Sequence, residues 1–369
     1  MIECRTIKEL CSVVVDCPHS TPTWTAEGKI VVRNNNIKNG RIDFSSPSYT
    51  DDEHYQQRIK RATPQGGDII ITREAPMGEV GMIPEGIVCC LGQRMVLLRA
   101  NPDICDNYYL LYSLQSRYVQ HQISWSEGTG TTVSNLRIPH LEQLKIPYLP
   151  LSQQRQVSSV LRCLEEKIKH NRVINDNLQQ QAQAIYASMF VDNAEPTWKQ
   201  GHLSDFVIVR YGKDHKKLAD GIYPVYGSGG IMRHVERPLY DKESVLIPRK
   251  GTLNNVMYVN QPFWSVDTMF YTEMRLPNVA KFVYHFVKAK DLAAMNAGSA
   301  VPSMTTDILN AMEIAIPPAT VLEEFESLVA PMYRAMQGND AQSKKLADLR
   351  NALLPKLMSG EIDVSDIQL

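Results

Sequence analysis

Residues 130 to 190 lie over residues 298 to 358 at a constant offset of 168, without a gap. Gly130, Val133, Leu141, Leu144, Ile146, Pro150, Asn171, Ile185 and Met189 fall on Gly298, Val301, Leu309, Met312, Ile314, Pro318, Asn339, Leu353 and Leu357. A second block aligns upstream at an offset of 176, with Ile69-Ile70-Ile71-Thr72-Arg73 on Val245-Leu246-Ile247-Pro248-Arg249 and Val80 on Val256. The changed offset places a gain or loss of eight residues between the blocks. Solenoid repeats span roughly 20 to 50 residues, so a unit this long is a domain in its own right. A chain built this way does one thing twice.

The length, 369 residues, allows two ordinary hydrophobic cores. With 43% hydrophobic and 21% charged residues, the mix is globular. Met1-Ile2-Glu3-Cys4-Arg5 is not followed by a basic then apolar signal pattern, and no run approaches the roughly 18 apolar residues of a membrane span. The expectation is a cytoplasmic protein without membrane contact. Of seven cysteines only Cys89-Cys90 are adjacent, and no C-x-x-C pair exists to bind zinc or carry redox chemistry. Reduced thiols are expected.

Short β-type runs separated by Gly, Pro and Asn mark residues 1 to 150, among them Ile30-Val31-Val32, Asp68 to Thr72 and Arg94 to Leu98. From Ser152, expected as a helix cap, a Pro-free stretch to Phe190 reads as one long helix within residues 151 to 192. Residues 197 to 318 return to strand and turn, in Tyr223 to Tyr226, Ser244 to Ile247 and Asn255 to Val259. A second long helix is expected within residues 319 to 360. The fold class predicted is α+β, with two globular domains related by a pseudo-twofold duplication and separated by two long antiparallel coiled-coil helices.

Both helices carry heptads. Val157, Leu164, Asn171, Leu178 and Ile185 recur every seven residues, interleaved with Leu161, Ile168, Asn175, Ala182 and Met189. The second seam runs Phe325, Met332, Asn339, Leu346 and Leu353, interleaved with Val329, Met336, Ser343, Arg350 and Leu357. It is the poorer of the two, and Pro331 is expected to kink it or delay its start. Asn171 and Asn339 sit at the two centres, where antiparallel packing would let their amides bond each other and fix register at some cost in stability. At 1.5 Å per residue such helices are rods on the order of 57 Å long.

Several segments together are similar to one known family. Pro150-Leu-Ser-Gln-Gln-Arg-Gln-Val, Leu164-Glu-Glu-Lys-Ile, Asn171-Arg-Val-Ile-Asn and Ala187-Ser-Met-Phe resemble the central region of type I restriction-modification specificity subunits. Leu349-Arg-Asn-Ala-Leu-Leu-Pro-Lys-Leu-Met-Ser-Gly-Glu-Ile resembles their C-terminal region, and Phe263-Trp264-Ser-Val-Asp267-Thr268 a segment of their target-recognition domains. The resemblance implies a non-catalytic reader of double-stranded DNA, each domain taking one half of a split sequence. It also implies helices that set the spacer and dock two methyltransferase subunits. S-adenosylmethionine would then belong to those partners, and ATP and Mg to a restriction or translocase subunit, with no cofactor in this chain.

The residues agree with a non-catalytic role. No Asn/Asp-Pro-Pro-aromatic tetrad of an adenine methyltransferase is present. Gly227-Ser-Gly-Gly reads as a turn, and Gly128-Thr-Gly-Thr-Thr lacks the Lys-Ser/Thr ending of a P-loop. The nine His residues show no metal-ligand spacing, so no metal site is expected. Glu165-Glu166 reads as a solvated helix face, and Trp264 beside Phe263 as core. Charge is modest: residues 197 to 318 hold fourteen Lys and Arg against eleven Asp and Glu, and residues 1 to 150 hold fifteen against sixteen. Local patches must therefore supply what a phosphate backbone needs.

Arg, Lys, Asn and Gln read base edges, while Ser, Thr and backbone amides hold phosphates. The DNA-binding candidates of the first domain are accordingly Arg33, Asn34, Asn35, Asn36, Arg58, Lys60, Arg61, Arg73, Thr131 and Thr132. Those of the second are Lys213, Lys216, Lys217, Tyr226, Ser228, His234, Arg249, Lys250, Asn254 and Ser299. The alignment of Arg73 with Arg249 is the best argument for any one residue. Two other readings stay open on the residues alone: a coiled-coil scaffold or adapter of a phage-defence complex without direct DNA reading, and a nuclease with scattered acidic residues.

Overall fold

The computed structural model describes residues 3–38, 40–125, 135–295 and 303–364. Two compact units share the chain, Met1–His170 with Gln342–Leu369, and Asn171–Ala341. The sequence places the domain edges at the helix starts, whereas compactness divides each long helix between the units.

In the first unit, strand Cys4–Thr6 pairs antiparallel with Lys145–Pro147, so the stretch between them starts and ends on one ladder. Thr6 then caps helix Ile7–Leu10 reciprocally with Glu9, the Thr6 hydroxyl accepting the Glu9 N–H at 3.2 Å and the Glu9 carboxylate accepting the Thr6 N–H at 2.6 Å. The central sheet is antiparallel in the order Cys11–Asp16, Met95–Ala100, Ile69–Thr72, Val80–Met82. The unbroken Ile69-Ile70-Ile71 run is buried on both faces, which is why it lacks the alternation of a half-exposed strand. A second sheet sets Lys29–Val32 between antiparallel Ser48–Thr50 and parallel Cys89–Leu91. Helix Asn107–Gln115 fills the core with Tyr109, Leu110 and Leu114, packed with Val157, Leu161 and Leu357 of the long helices.

The second unit repeats this plan in its closing ladder, its two sheets and the helix that fills the core. Lys199–His202 pairs with Glu313–Ile316, helix Leu203–Phe206 follows, and the central sheet runs Val207–Tyr211, Met269–Met274, Ser244–Pro248, Met257–Val259. Its second sheet sets Asp220–Gly227 between antiparallel Gly230–Val235 and parallel Trp264–Ser265. Helix Ala280–Lys288 takes the place of Asn107–Gln115. Phe263 and Trp264 are core as expected, the indole N–H donating to the Lys213 carbonyl at 2.8 Å. Gly227 to Gly230 forms the hairpin turn, with Gly230 at a positive φ of 110° that suits glycine.

The first long helix is Leu151–Ala187, ending in a π turn at Ser188–Asp192, and the second is Ala319–Met358. Every seam position named above is buried or half-buried on both helices. Three details differ from expectation. Ser152 is not the cap: the helix starts at Leu151, and buried Gln154 ties it to the domain instead. Its amide donates to the carbonyls of Ile104 and Leu149 at 3.0 and 2.8 Å, and its oxygen accepts the Asp106 N–H at 2.9 Å. Pro331 neither delays nor interrupts the second helix. Phe325, Val329 and Tyr333 bury around it in one core, and that packing offsets the one missing backbone donor. Glu165 is not a solvated residue, because Arg350 pairs with it at 3.0 Å and the Tyr112 hydroxyl donates to it at 3.2 Å.

At the centre of the second seam, direct bonding between the Asn171 and Asn339 side chains is replaced by a relay. Asn171 donates to the Asn339 main-chain carbonyl at 3.3 Å, and Asn339 donates to the Asn175 side chain at 2.8 Å. Asn175 in turn donates to Asp340 at 2.8 Å and to the Met336 carbonyl at 3.2 Å. Residue numbers rise on one helix as they fall on the other, so these segments are antiparallel.

Candidate nucleic-acid interface

In the first unit, several candidates gather where the segment after Ile69–Thr72 meets the turn before Asn34–Asn36. Arg33 is exposed, with its guanidinium 5.2 Å from the Trp24 ring and 3.4 Å from the Ser48 hydroxyl. Asn36 accepts the Arg33 N–H at 2.9 Å and Asn34 donates to the Glu74 carbonyl at 2.7 Å, so both amides shape the turn while Asn35 stays exposed. Lys60 and Arg61 are exposed, Arg61 reaching the Asp16 carbonyl at 3.3 Å. Arg94, which the sequence reading passes over, belongs to the same surface. It is 56% exposed, pairs with Glu74 at 3.3 Å and holds a positive φ of 64°.

Arg58 must be corrected. It is 7% exposed and donates to the carbonyls of Leu91, Gly92, Ser20 and Pro18 at 2.7, 2.8, 3.1 and 3.3 Å. Four of the five N–H donors of the fork are spent on backbone oxygens, so this buried guanidinium holds the fold together rather than facing a ligand. Thr131 and Thr132 lie outside the described residues, as does Ser299 of the second unit.

In the second unit, Lys213, Lys216 and Lys217 are exposed on the segment after Val207–Tyr211. Gly212 makes that turn possible, since a Cβ there would run into the carbonyl oxygens of Ser265 and Val266. Ser228, at the hairpin turn, accepts the Asn255 amide on its carbonyl at 2.8 Å, so the turn and the loop following Ser244–Pro248 touch. Arg249 and Lys250 lie at the start of that loop, and His234 is exposed on strand Gly230–Val235. Two candidates are hydrogen-bonded within the unit. Tyr226 is 9% exposed, with its hydroxyl accepting from Gln261 at 3.3 Å and burial raising its pKa. Asn254 donates to Asp291 at 3.0 Å and accepts the Ala293 N–H at 3.0 Å, pinning the two segments together.

The alignment of Arg73 with Arg249 holds at the level of single hydrogen bonds. Arg73 N–H donates to the Arg94 carbonyl at 2.8 Å and its carbonyl accepts Leu136 N–H at 3.0 Å. Arg249 N–H donates to the Thr268 carbonyl at 2.9 Å and its carbonyl accepts Met304 N–H at 2.9 Å. On the first strand of each central sheet, Asp16 stands opposite Val96 and Tyr211 opposite Phe270, and the next residue donates to Met95 or Met269 at 3.0 Å in both. Asp16 and Tyr211 therefore occupy one position of the repeated fold.

Among the described residues no group of three His, Cys, Asp or Glu could hold a metal ion, and no helix is long and apolar enough to cross a membrane.

Comparison with known proteins agrees with this geometry. The sequence pattern described as Type I restriction modification DNA specificity domain matches residues 3–180 and again 195–323, one match on each copy of the fold. The chain is 23% identical over 345 residues to the Type I restriction enzyme MjaIX specificity subunit of Methanocaldococcus jannaschii, covering 82% of this chain and 79% of that relative. It is 26% identical over 122 residues to the Type I restriction enzyme EcoprrI specificity subunit of Escherichia coli, covering 31% and 30%. Its fold resembles the crystal structure of a type I restriction-modification S subunit from M. genitalium with a TM-score of 0.60 at 18% identity, over 97% of this chain and 96% of that one. With the pattern spanning most of both copies, the chain belongs to the type I restriction modification DNA specificity family, as a specificity subunit with two DNA recognition domains.

Proposed function

We propose that each unit reads one half of a bipartite double-stranded DNA sequence, and that the long helices set the spacing and dock two methyltransferase subunits. The observation that carries this reading is a complete fold repeated with its frame kept and its surface loops changed. A frame that repeats to the hydrogen bond, around Arg73 and Arg249, presents unlike side chains to solvent, which is what two different half-sites need. The long helices carry exposed Val173, Ile174, Leu328 and Leu349, apolar side chains that a partner subunit could cover. In this reading the chain is non-catalytic and acts in the cytoplasm. The methyltransferase subunits hold S-adenosylmethionine and extrude the target adenine, and ATP and Mg belong to a restriction subunit where one joins.

Co-expression with the neighbouring methyltransferase subunit, followed by mapping of methylated adenines, tests this. A split methylated sequence is expected. A stable complex that methylates no bipartite sequence overturns it.

A further inference from the structure

Register-equivalent arginines meet unlike partners in the two units. Every nitrogen of the Arg73 guanidinium is engaged. Its Nη1 lies 2.9 and 3.0 Å from the Asp16 carboxylate oxygens, Nε donates to the Leu136 carbonyl at 2.9 Å and Nη2 to Asn135 at 3.3 Å. Its side chain is only 12% exposed. Among the described residues the Arg249 guanidinium makes one polar contact, from Nη1 to the Asp267 carbonyl at 3.3 Å. Among the described residues no carboxylate lies within ion-pair distance of it. Where Asp16 stands in the first unit, the second has Tyr211, which is 52% exposed with its ring centre 5.4 Å from the Arg249 guanidinium.

An arginine stacked on an aromatic face keeps its N–H edge free and its charge unneutralised, whereas a carboxylate neutralises the charge and occupies the edge. Lys213, two residues after Tyr211, and Lys250, next to Arg249, are both exposed, so further cations follow each member of this stack in the sequence. The first unit instead closes its arginine within its own frame.

We infer that Arg249, presented by Tyr211, touches the DNA backbone directly, and that Arg73, locked by Asp16, is a positioning residue of the first unit. The residue at the Asp16/Tyr211 position decides between the two roles. This rests on each unit being a DNA recognition domain.

The test uses the full chain assembled with its methyltransferase subunits and a labelled duplex of random sequence, with affinity followed across salt concentration. Arg249→Ala is expected to flatten the log–log salt slope by about one unit, the signature of one lost phosphate contact. Tyr211→Asp, which builds the first unit's pair into the second, is expected to do the same, and the double variant to go no further. Arg73→Met is expected to keep the wild-type slope while lowering the melting temperature, and Arg73→Lys to restore part of that temperature with the slope unmoved. An unchanged slope in folded Arg249→Ala overturns the inference. So does an equal loss of slope in Arg73→Met, or additive effects of Tyr211→Asp and Arg249→Ala. A wild-type complex without salt-dependent DNA affinity overturns the recognition reading itself, a result separable from all of these.

Discussion

Asn171 donates its side-chain amide to the main-chain carbonyl of Asn339 at 3.3 Å, leaving the Asn339 side chain to reach Asn175 at 2.8 Å. A slip of one helical turn would separate all three amides at once, so the relay holds register more tightly than a single pair would. Apolar residues at seam positions give more stability and less selectivity. The double variant Asn171→Leu, Asn339→Leu is expected to melt higher than the wild type while populating more than one species. Size-exclusion chromatography with light scattering checks this, and a single species at the wild-type position contradicts the register role.

His285 is fully buried among three elements of the second unit, accepting the Tyr333 hydroxyl on Nε2 at 2.9 Å and donating from Nδ1 to Gln183 at 2.7 Å. Burial lowers its pKa from 6.5 to about 4. The unfolded chain takes up a proton below pH 6.5 and the folded chain resists until pH 4, so acid favours unfolding. The contribution is complete above pH 6.5 and falls as pH drops through that window, by on the order of 3 kcal/mol. His285→Gln keeps a donor and an acceptor but cannot titrate, so melting temperature measured against pH should lose most of its acid limb. An acid limb identical to that of the wild type would place the effect elsewhere.

Arg58 holds four backbone carbonyls on two segments together. Replacing it with Ala leaves buried acceptors unmade and is expected to cost about 3 kcal/mol. Arg58→Lys should recover little, since an ammonium cannot match the planar fork. Denaturant unfolding measures the loss, and the DNA salt slope of the folded fraction should not move. A lower slope at unchanged stability would return Arg58 to the DNA surface.

What was legible in the sequence was legible because periodicity and duplication are backbone matters. The seam residues from Val157 to Met189 and from Phe325 to Leu357 turn inward as the heptads require, and the pairing of Arg73 with Arg249 follows from alignment alone. The destinations of long polar side chains were not legible. Arg33 and Arg58 look alike in sequence, yet one is exposed and the other is buried because of where Pro18, Ser20 and Leu91 bring their carbonyls. Arg350 is a charged residue at an apolar seam position in sequence, and it is accommodated because Glu165, itself held by Tyr112, pairs with it. The Asp16 to Tyr211 exchange was hidden for another reason. Cys11-Ser-Val-Val-Val-Asp and Val207-Ile-Val-Arg-Tyr share little beyond β-branched residues, and only strand register equates them.

The paired strands Cys4–Thr6 with Lys145–Pro147, and Lys199–His202 with Glu313–Ile316, have a consequence for how such a chain can change. Because the incoming and outgoing strands of each recognition domain are hydrogen-bonded neighbours, the distance between them does not depend on how much chain lies in between. The first ladder already encloses a longer stretch than the second, and both close the same way. Each ladder is a seal behind which loops can lengthen, shorten or be replaced outright without the long helix that follows being displaced. A new DNA preference can thus be acquired in one domain without renegotiating the rest of the molecule.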